Sequence, residues 1–284
     1  MSPATVGSMT GAQLGLDFEA PRLVRVTPAR LGTWDDCPRR YRLTYLDRPA
    51  PVRSGARAAS TLGAVVHLAL RSLFALPPAR RTPEAAARLV DRHWNSEGFR
   101  DAEQAHRYRE RARAWLAEYA EGAGEVDAVG LEQWVSVAVG GIVAEGRVDR
   151  IDRRGDELVV VDYKTGRGAT AEDARASRAL ALYALGAERT LRRRCVEVEL
   201  HHVPSGHVAG WRHDRASLAA HVAAAERSAE GLAKAAEDLE AGAEPDARFP
   251  ARPAPRCGSC DVRRHCPEGR AAAPESEPWA QLSP

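Results

Sequence analysis

Residues 146–166 read GRVDRIDRRGDELVVVDYKTG, and the centre of that run decides the fold. Gly155-Asp156 is a Gly-X pair suited to a two-residue type II′ turn. With that turn the register follows: Arg154 faces Glu157, Ile151 faces Val160, and Asp149 faces Asp162. Side chains alternate along a strand, so Asp149, Ile151, Leu158, Val160, Asp162 and Lys164 share one face. An apolar patch therefore ends in two opposed carboxylates. Like charges in that arrangement are destabilising, by roughly 3 kcal/mol at ~5 Å and an effective dielectric of ~20. A divalent cation between them would reverse the sign, and oxygen ligands suit Mg²⁺ or Mn²⁺. The same acids can instead pair with Arg147, Arg150 or Lys164 on a surface hairpin. The hairpin alone leaves both readings open.

Outward from the hairpin, the period of the apolar residues changes twice. From Leu131 to Lys164 β-branched residues dominate, which predicts an antiparallel meander. Before it, residues 62–122 carry helical spacing, with Leu68, Leu73, Leu89, Val90, Trp94, Trp115 and Tyr119 on the apolar positions. Thr27-Pro28 and Thr82-Pro83 read as helix starts, each with a hydroxyl cap and proline at the first helical position. After the meander the spacing predicts a helix over 172–190, two strands over 195–212 around VPSGHV, and an alanine-rich helix over 216–241. Helices, then a sheet with an inserted helix, then a helix, indicate an α/β or α+β domain wrapped by its own ends. Residues 1–22 read as a flexible tail, 23–270 as one domain with a helical insertion at 68–122, and 271–284 as a disordered tail.

The chain has 284 residues, 44% hydrophobic and 28% charged, enough to build a core, and its formal net charge is only +2. Such a charge neither requires nor excludes a polyanionic partner, so local clusters must decide. The start, MSPATVGSMTGAQ, lacks the basic and apolar regions of a signal peptide. No apolar run approaches the ~18 residues of a membrane span. A soluble cytoplasmic protein is expected. Three of the five cysteines crowd into CGSCDVRRHC as Cys257, Cys260 and Cys266, and Cys37 lies far upstream in TWDDCPRRYRLTYL. In a reducing cytosol that usage favours metal ligation over disulfides. Four thiolates suit zinc or an iron–sulfur cluster. Cys195 fits no ligand spacing and reads as a core strand residue; His265, His201 and His202 read as surface or packing residues.

GRVDRID followed by VVVDYKTG resembles the core of the PD-(D/E)xK nuclease superfamily, in the form of RecB-type and CRISPR-associated exonucleases. The resemblance implies a restriction-endonuclease-like α/β fold with a mixed central sheet flanked by helices. It also implies that Asp149 and Asp162 bind Mg²⁺ or Mn²⁺ with the Tyr163 carbonyl, and that Lys164 orients or helps deprotonate the attacking water. TLGAVVHLALRSLF resembles the segment whose histidine joins the metal shell, here His67. RALALYAL resembles the helix after the active-site strand, with Tyr183 as a nucleic-acid contact. Ala179 stands where the family shows a glutamine, a departure that bears on activity. A lone N-terminal cysteine before PRRY, with a C-terminal trio, resembles the iron–sulfur staple of AddB-type nucleases, which implies a 4Fe–4S cluster on Cys37, Cys257, Cys260 and Cys266.

That staple would gather Arg39, Arg40, Arg42, Arg263 and Arg264 into a phosphate-tracking patch. Trp34 and Tyr41, at helical spacing, read as core. QLGLDF, with Gln13, Leu14, Leu16 and Phe18, resembles the peptide that bacterial DNA-processing proteins insert into the sliding clamp. No phosphate-loop motif occurs in the sequence, so no P-loop motor is expected in it. The resemblance implies a metal-dependent exodeoxyribonuclease acting on single-stranded DNA ends in repair or recombination. A nucleic-acid-binding or scaffolding protein with a decayed site, holding an iron–sulfur or zinc group, is the alternative that Ala179 favours.

Overall fold

Hydroxyl and carboxylate caps start the helices at Pro28, Pro83 and Ala102 in the computed structural model, which describes residues 23–282. β1 (Val24–Val26) runs into α1 (Pro28–Asp36), where the Thr27 hydroxyl accepts the Arg30 N–H at 3.2 Å. α2 (Pro38–Tyr41) and a π-helical turn at Arg42–Leu46 follow. Next come α3 (Ala58–Phe74), α4 (Pro83–His93) and α5 (Ala102–Ala120). Thr82 caps α4 and Asp101 caps α5, each accepting an N–H three residues on at 3.2 and 2.7 Å. The meander is β2 (Ala128–Val139), β3 (Ile142–Arg154) and β4 (Glu157–Lys164). α6 (Ala171–Ala176) and α7 (Arg178–Leu191) lead to β5 (Cys195–His202) and β6 (His207–Arg212). α8 (Arg215–Glu240), α9 (Pro245–Arg248) and α10 (Pro267–Ala272) complete the chain. Among the described residues no helix is long and apolar enough to cross a membrane.

The strands form one mixed sheet. β2 lies antiparallel along one edge of β3. The other edge of β3 is shared, with β1 parallel to Ile142–Ala144 and β4 antiparallel to Arg150–Arg154. β5 adds parallel to β4, and β6 antiparallel to β5. Gly155 takes φ +59°, which a type II′ turn demands of its first central residue. The register is the one derived from that turn, from Arg154↔Glu157 through Ile151↔Val160 to Arg150↔Val161. It stops one step short of Asp149 and Asp162.

Each sheet face has its own core. Ile151, Leu158 and Val160 pack under α7 with Leu180 and Ala184, and Val159 and Val161 pack toward α3 and α5. α7 comes so close to β2 that a Cβ on Gly186 would stand 2.8 Å from Val135. α1 and α8 close a third cluster over Val26, Ile142 and Ala144. Trp34 and Tyr41 stack edge-on beside Phe249, as core rather than as exposed rings. Cys195 is fully buried at the start of β5. The disordered tail expected from Ala271 is corrected for residues up to 282. Ser276 N–H donates to Gly258 O at 2.8 Å, Ala58 N–H to Pro278 O at 3.1 Å, and Leu282 packs on the α3–α5 core.

A charged network lies inside the α3–α5 face. Arg150 is 1% exposed. Its guanidinium meets Asp152 at 2.8 and 2.9 Å, donates to the Tyr119 and Tyr163 hydroxyls at 3.0 Å each, and stacks over Phe74 at 4.2 Å. Burial opposes its charge, but these oxygens outweigh it and hold the proton more firmly than usual. Tyr119 continues the chain to His201 at 2.6 Å, and His201 to Glu199 at 2.8 Å. His201 thus belongs to a buried network, not to a surface. Asp152→Ala should cost about 3–5 kcal/mol, because it strands a buried guanidinium. Urea denaturation checks this, and an unchanged midpoint would refute the account.

Candidate metal and active site

The site sits where two strands part. After Val161, β4 leaves β3, and Asp162, Tyr163 and Lys164 pair with Leu200, His201 and His202 of β5. Across the opening, residues 145–149 of β3 have no strand partner on that edge among the described residues. Asp149 fills the fork with its side chain: Oδ2 accepts the Tyr163 N–H at 3.0 Å. α3 crosses the opening and carries His67 into it. Its Nδ1 lies 3.3 Å from Asp149 Oδ1 and its Nε2 lies 3.2 Å from the Tyr163 carbonyl. A carbonyl only accepts, so Nε2 donates to it, and the Asp149 carboxylate facing Nδ1 favours the charged form of the ring. Burial works against that charge, but the Asp149 hydrogen bond and the nearby Asp162 and Glu132 raise the pKa above the usual histidine value.

His67, Asp149 and the Tyr163 carbonyl therefore lie together at the fork. Asp162 stands beside them in direct contact with the Lys164 ammonium. Burial raises the Asp162 pKa; Lys164 opposes the shift and Asp149 adds to it. The third member of the cluster is Glu132, which sequence reading missed. One ligand atom each from His67, Glu132 and Asp149 lies within 4.8 Å of the others, while Asp162 is outside that group. Glu132 takes φ +47°, and Arg147 Nε pairs with its carboxylate at 2.6 Å. A signal existed. β2 and β3 pair with Val139 opposite Ile142 and Gln133 opposite Val148, so Glu132 stands opposite Asp149. The Gly140-Gly141 turn allows the same register count as Gly155-Asp156.

The donor set tests well for a hard divalent cation: two carboxylates, one imidazole and one carbonyl converge. These groups open onto a cleft of about 720 Å³, also lined by Tyr183, Trp134 and Arg147. Burial and the Asp162 and Asp149 charges push the Tyr183 phenol up to about 12.

The four cysteines at positions 37, 257, 260 and 266 line a different cavity, of about 240 Å³. Backbone N–H groups of Ala254 and Gly269 donate to Cys257 and Cys266 Sγ at 3.4 and 3.3 Å. Burial raises the Cys260 and Cys266 pKa values, and Arg40 and Arg39 oppose it.

The expected arginine patch needs correction. Arg39 is buried, donating to Phe249 O at 3.0 Å and pairing with Asp246 at 3.0 Å. Arg263 donates to Ala273 O at 2.7 Å, Arg40 to Asp261 at 3.0 Å, and Arg42 to Asp246 at 3.0 Å. These guanidiniums tie the termini together because the fold offers them carbonyls and carboxylates at short range. Arg264 is exposed and forms no ion pair among the described residues. Gln13, Leu14, Leu16 and Phe18 lie outside the described residues.

Tyr183 reaches the cleft because β3 has glycine beneath its ring: a Cβ on Gly146 would stand 2.7 Å from Tyr183 Cε1. Gly146→Ala should destabilise by about 1–3 kcal/mol, and much less in a Tyr183→Ala background. Equal losses in both backgrounds, measured by urea denaturation, would rule out this contact.

No curated protein matches the chain. The family model of the PD-(D/E)XK nuclease superfamily matches residues 25–267, which spans the fork, the cleft and all four clustered cysteines. The mixed sheet flanked by helices is the restriction-endonuclease-like core of that superfamily, and the chain belongs to it.

Proposed function

We propose that the chain is a metal-dependent exodeoxyribonuclease acting on single-stranded DNA ends, in repair or recombination. The observation that carries the reading is the convergence of His67, Glu132, Asp149 and the Tyr163 carbonyl on one point beside the Asp162–Lys164 pair. Asp149, Asp162, His67 and the Tyr163 carbonyl would hold Mg²⁺ or Mn²⁺, with Glu132 as a further ligand. When bound, the ion lowers the pKa of a water and polarises the phosphoryl oxygen. His67 would bind the ion as a neutral imidazole. Lys164 holds the attacking water by hydrogen bonding and offsets charge on the phosphoryl oxygens. In contact with Asp162, it orients or helps deprotonate that water. Water adds to phosphorus, the P–O bond to the leaving sugar breaks, and the leaving oxygen gains a proton.

The alternative is a nucleic-acid-binding or scaffolding protein with a weakened site, and Ala179, one helical turn before Tyr183, is the observation that favours it. Manganese-dependent degradation of end-labelled single strands decides. Asp149→Ala, Asp162→Ala and Lys164→Ala should each slow it at least about a hundredfold, and Glu132→Gln should raise the Mn²⁺ concentration required. Full degradation by the Asp162 and Lys164 variants would assign the activity elsewhere.

The cysteines are proposed to hold a 4Fe–4S cluster: all four line one cavity, and backbone N–H groups donate to two of their sulfurs. Its part would be structural, joining Cys37 to the C-terminal trio. Anaerobically purified protein should be brown with broad visible absorbance, and Cys260→Ala should bleach it. Colourless protein carrying stoichiometric zinc would overturn the assignment.

A further inference from the structure

Two of the large apolar side chains exposed on this protein line the cleft that holds the acidic cluster. Trp134, on β2, is 53% exposed, and Leu68, on α3 beside His67, is 43% exposed. Trp134 is the register partner of Arg147 on β3, two residue pairs along the ladder from the Glu132–Asp149 position. Most other tryptophans have obvious employment. Trp34 and Trp94 stack on neighbouring rings, Trp115 packs against the α3–α5 core, and the half-exposed Trp211 lies under the Arg175 guanidinium. Trp134 has no ring or cation–π partner among the described residues.

The walls carry a matching charge pattern. Arg71 lies on the same α3 face as Ala64 and Leu68, and its guanidinium forms no ion pair or hydrogen bond among the described residues. Arg147 is 64% exposed and held only through Glu132. The cleft therefore offers a flat π-face, an aliphatic wall, two reachable guanidiniums and an acidic cluster that takes a cation. An unpaired nucleobase with its flanking phosphates presents the complement of each. A paired base does not, because both its faces are covered within the duplex.

We infer that Trp134 is a base-stacking platform that seats one unpaired nucleobase of a single-stranded nucleic acid against Leu68, with Arg71 on a flanking phosphate, so that the neighbouring phosphodiester lies over the acidic cluster. The inference rests on the reading of this cleft as the nucleic-acid site and adds how the strand is held. The platform rejects duplex by geometry, since stacking on it requires the base to leave the helix.

Binding tests it, using the full chain with Ca²⁺ in place of Mg²⁺ and fluorescence anisotropy of a labelled oligo-dT strand. Trp134→Ala should weaken binding about five- to a hundredfold, Trp134→Phe distinctly less, and Trp211→Ala not at all. A strand with one abasic position at the seated nucleotide should erase the difference between wild type and Trp134→Ala. Arg71→Ala should lower the slope of log affinity against log salt by roughly one phosphate contact. Wild-type affinity in Trp134→Ala overturns the platform, as does a loss that persists on every abasic strand. So does duplex binding that depends on Trp134 equally. The phenylalanine and abasic arms keep the test decisive if the alanine variant folds poorly. Cleavage of the same strand with Mn²⁺ is scored separately. Cleavage that is indifferent to Trp134 sinks the platform alone, and Trp134-dependent binding without cleavage sinks the hydrolase reading alone.

Discussion

A backbone N–H that loses its strand partner has to find another acceptor, and that requirement organises the site. Where β4 swings from β3 toward β5, the Tyr163 N–H points into the gap, and the Asp149 carboxylate takes it at 3.0 Å. One oxygen of Asp149 is thereby spent on holding the fork, which fixes the rotamer of the other oxygen. That second oxygen faces His67. The acid is oriented by the architecture that opens the cleft, so the position of the fork and the position of the carboxylate are one constraint.

Tyr163 is held from three directions, and this explains why so much charge is buried behind it. Asp149 holds its N–H, His67 its carbonyl and Arg150 its hydroxyl. Arg150 in turn is fixed by Asp152 and Tyr119, and the line continues through His201 to Glu199 and Arg154. Burying these ions costs more desolvation than a hydrophobic filling of the same volume would. Their contribution is positional. Hydrogen bonds of fixed direction determine where the Tyr163 backbone sits, and that backbone supplies one of the groups converging on the fork. The Glu199 carboxyl shows how firmly the network is bound: burial alone would raise its pKa, but His201 and Arg154 hold it down at about 2.

Local chemistry was legible in the sequence, and long-range partnership was not. The Gly155-Asp156 turn, the Thr27 and Thr82 caps and the switch from helical to alternating period all depend on neighbours within a few residues, and all stand where they were read. Glu132 was readable by the same counting about Gly140-Gly141, but its strand carries no motif to prompt the count. Its φ of +47° belongs to a bend that no propensity forecasts in a glutamate. The charged network escaped because GRVDRID displays Arg150 and Asp152 as polar residues in a strand, where exposure is the default. Only the packing of α3 and α5 over that face turns them inward. Arg39 failed in the opposite sense: a basic cluster suggests phosphate until Asp246 and the Phe249 carbonyl are brought beside it across the whole chain.

That last failure also says how to weigh charge in this protein. With 41 basic against 39 acidic residues the chain is close to neutral, and many of its guanidiniums are consumed by its own carboxylates and carbonyls. A polyanion is met by the cations that remain available, and their location matters more than their number. On α3 the residues facing the cleft are small near its N-terminus, at Ser60, Gly63 and Ala64, and become His67, Leu68 and Arg71 toward its C-terminus. One helix face thus supplies open space, a metal-ligand type, an apolar wall and an unpaired guanidinium within three turns.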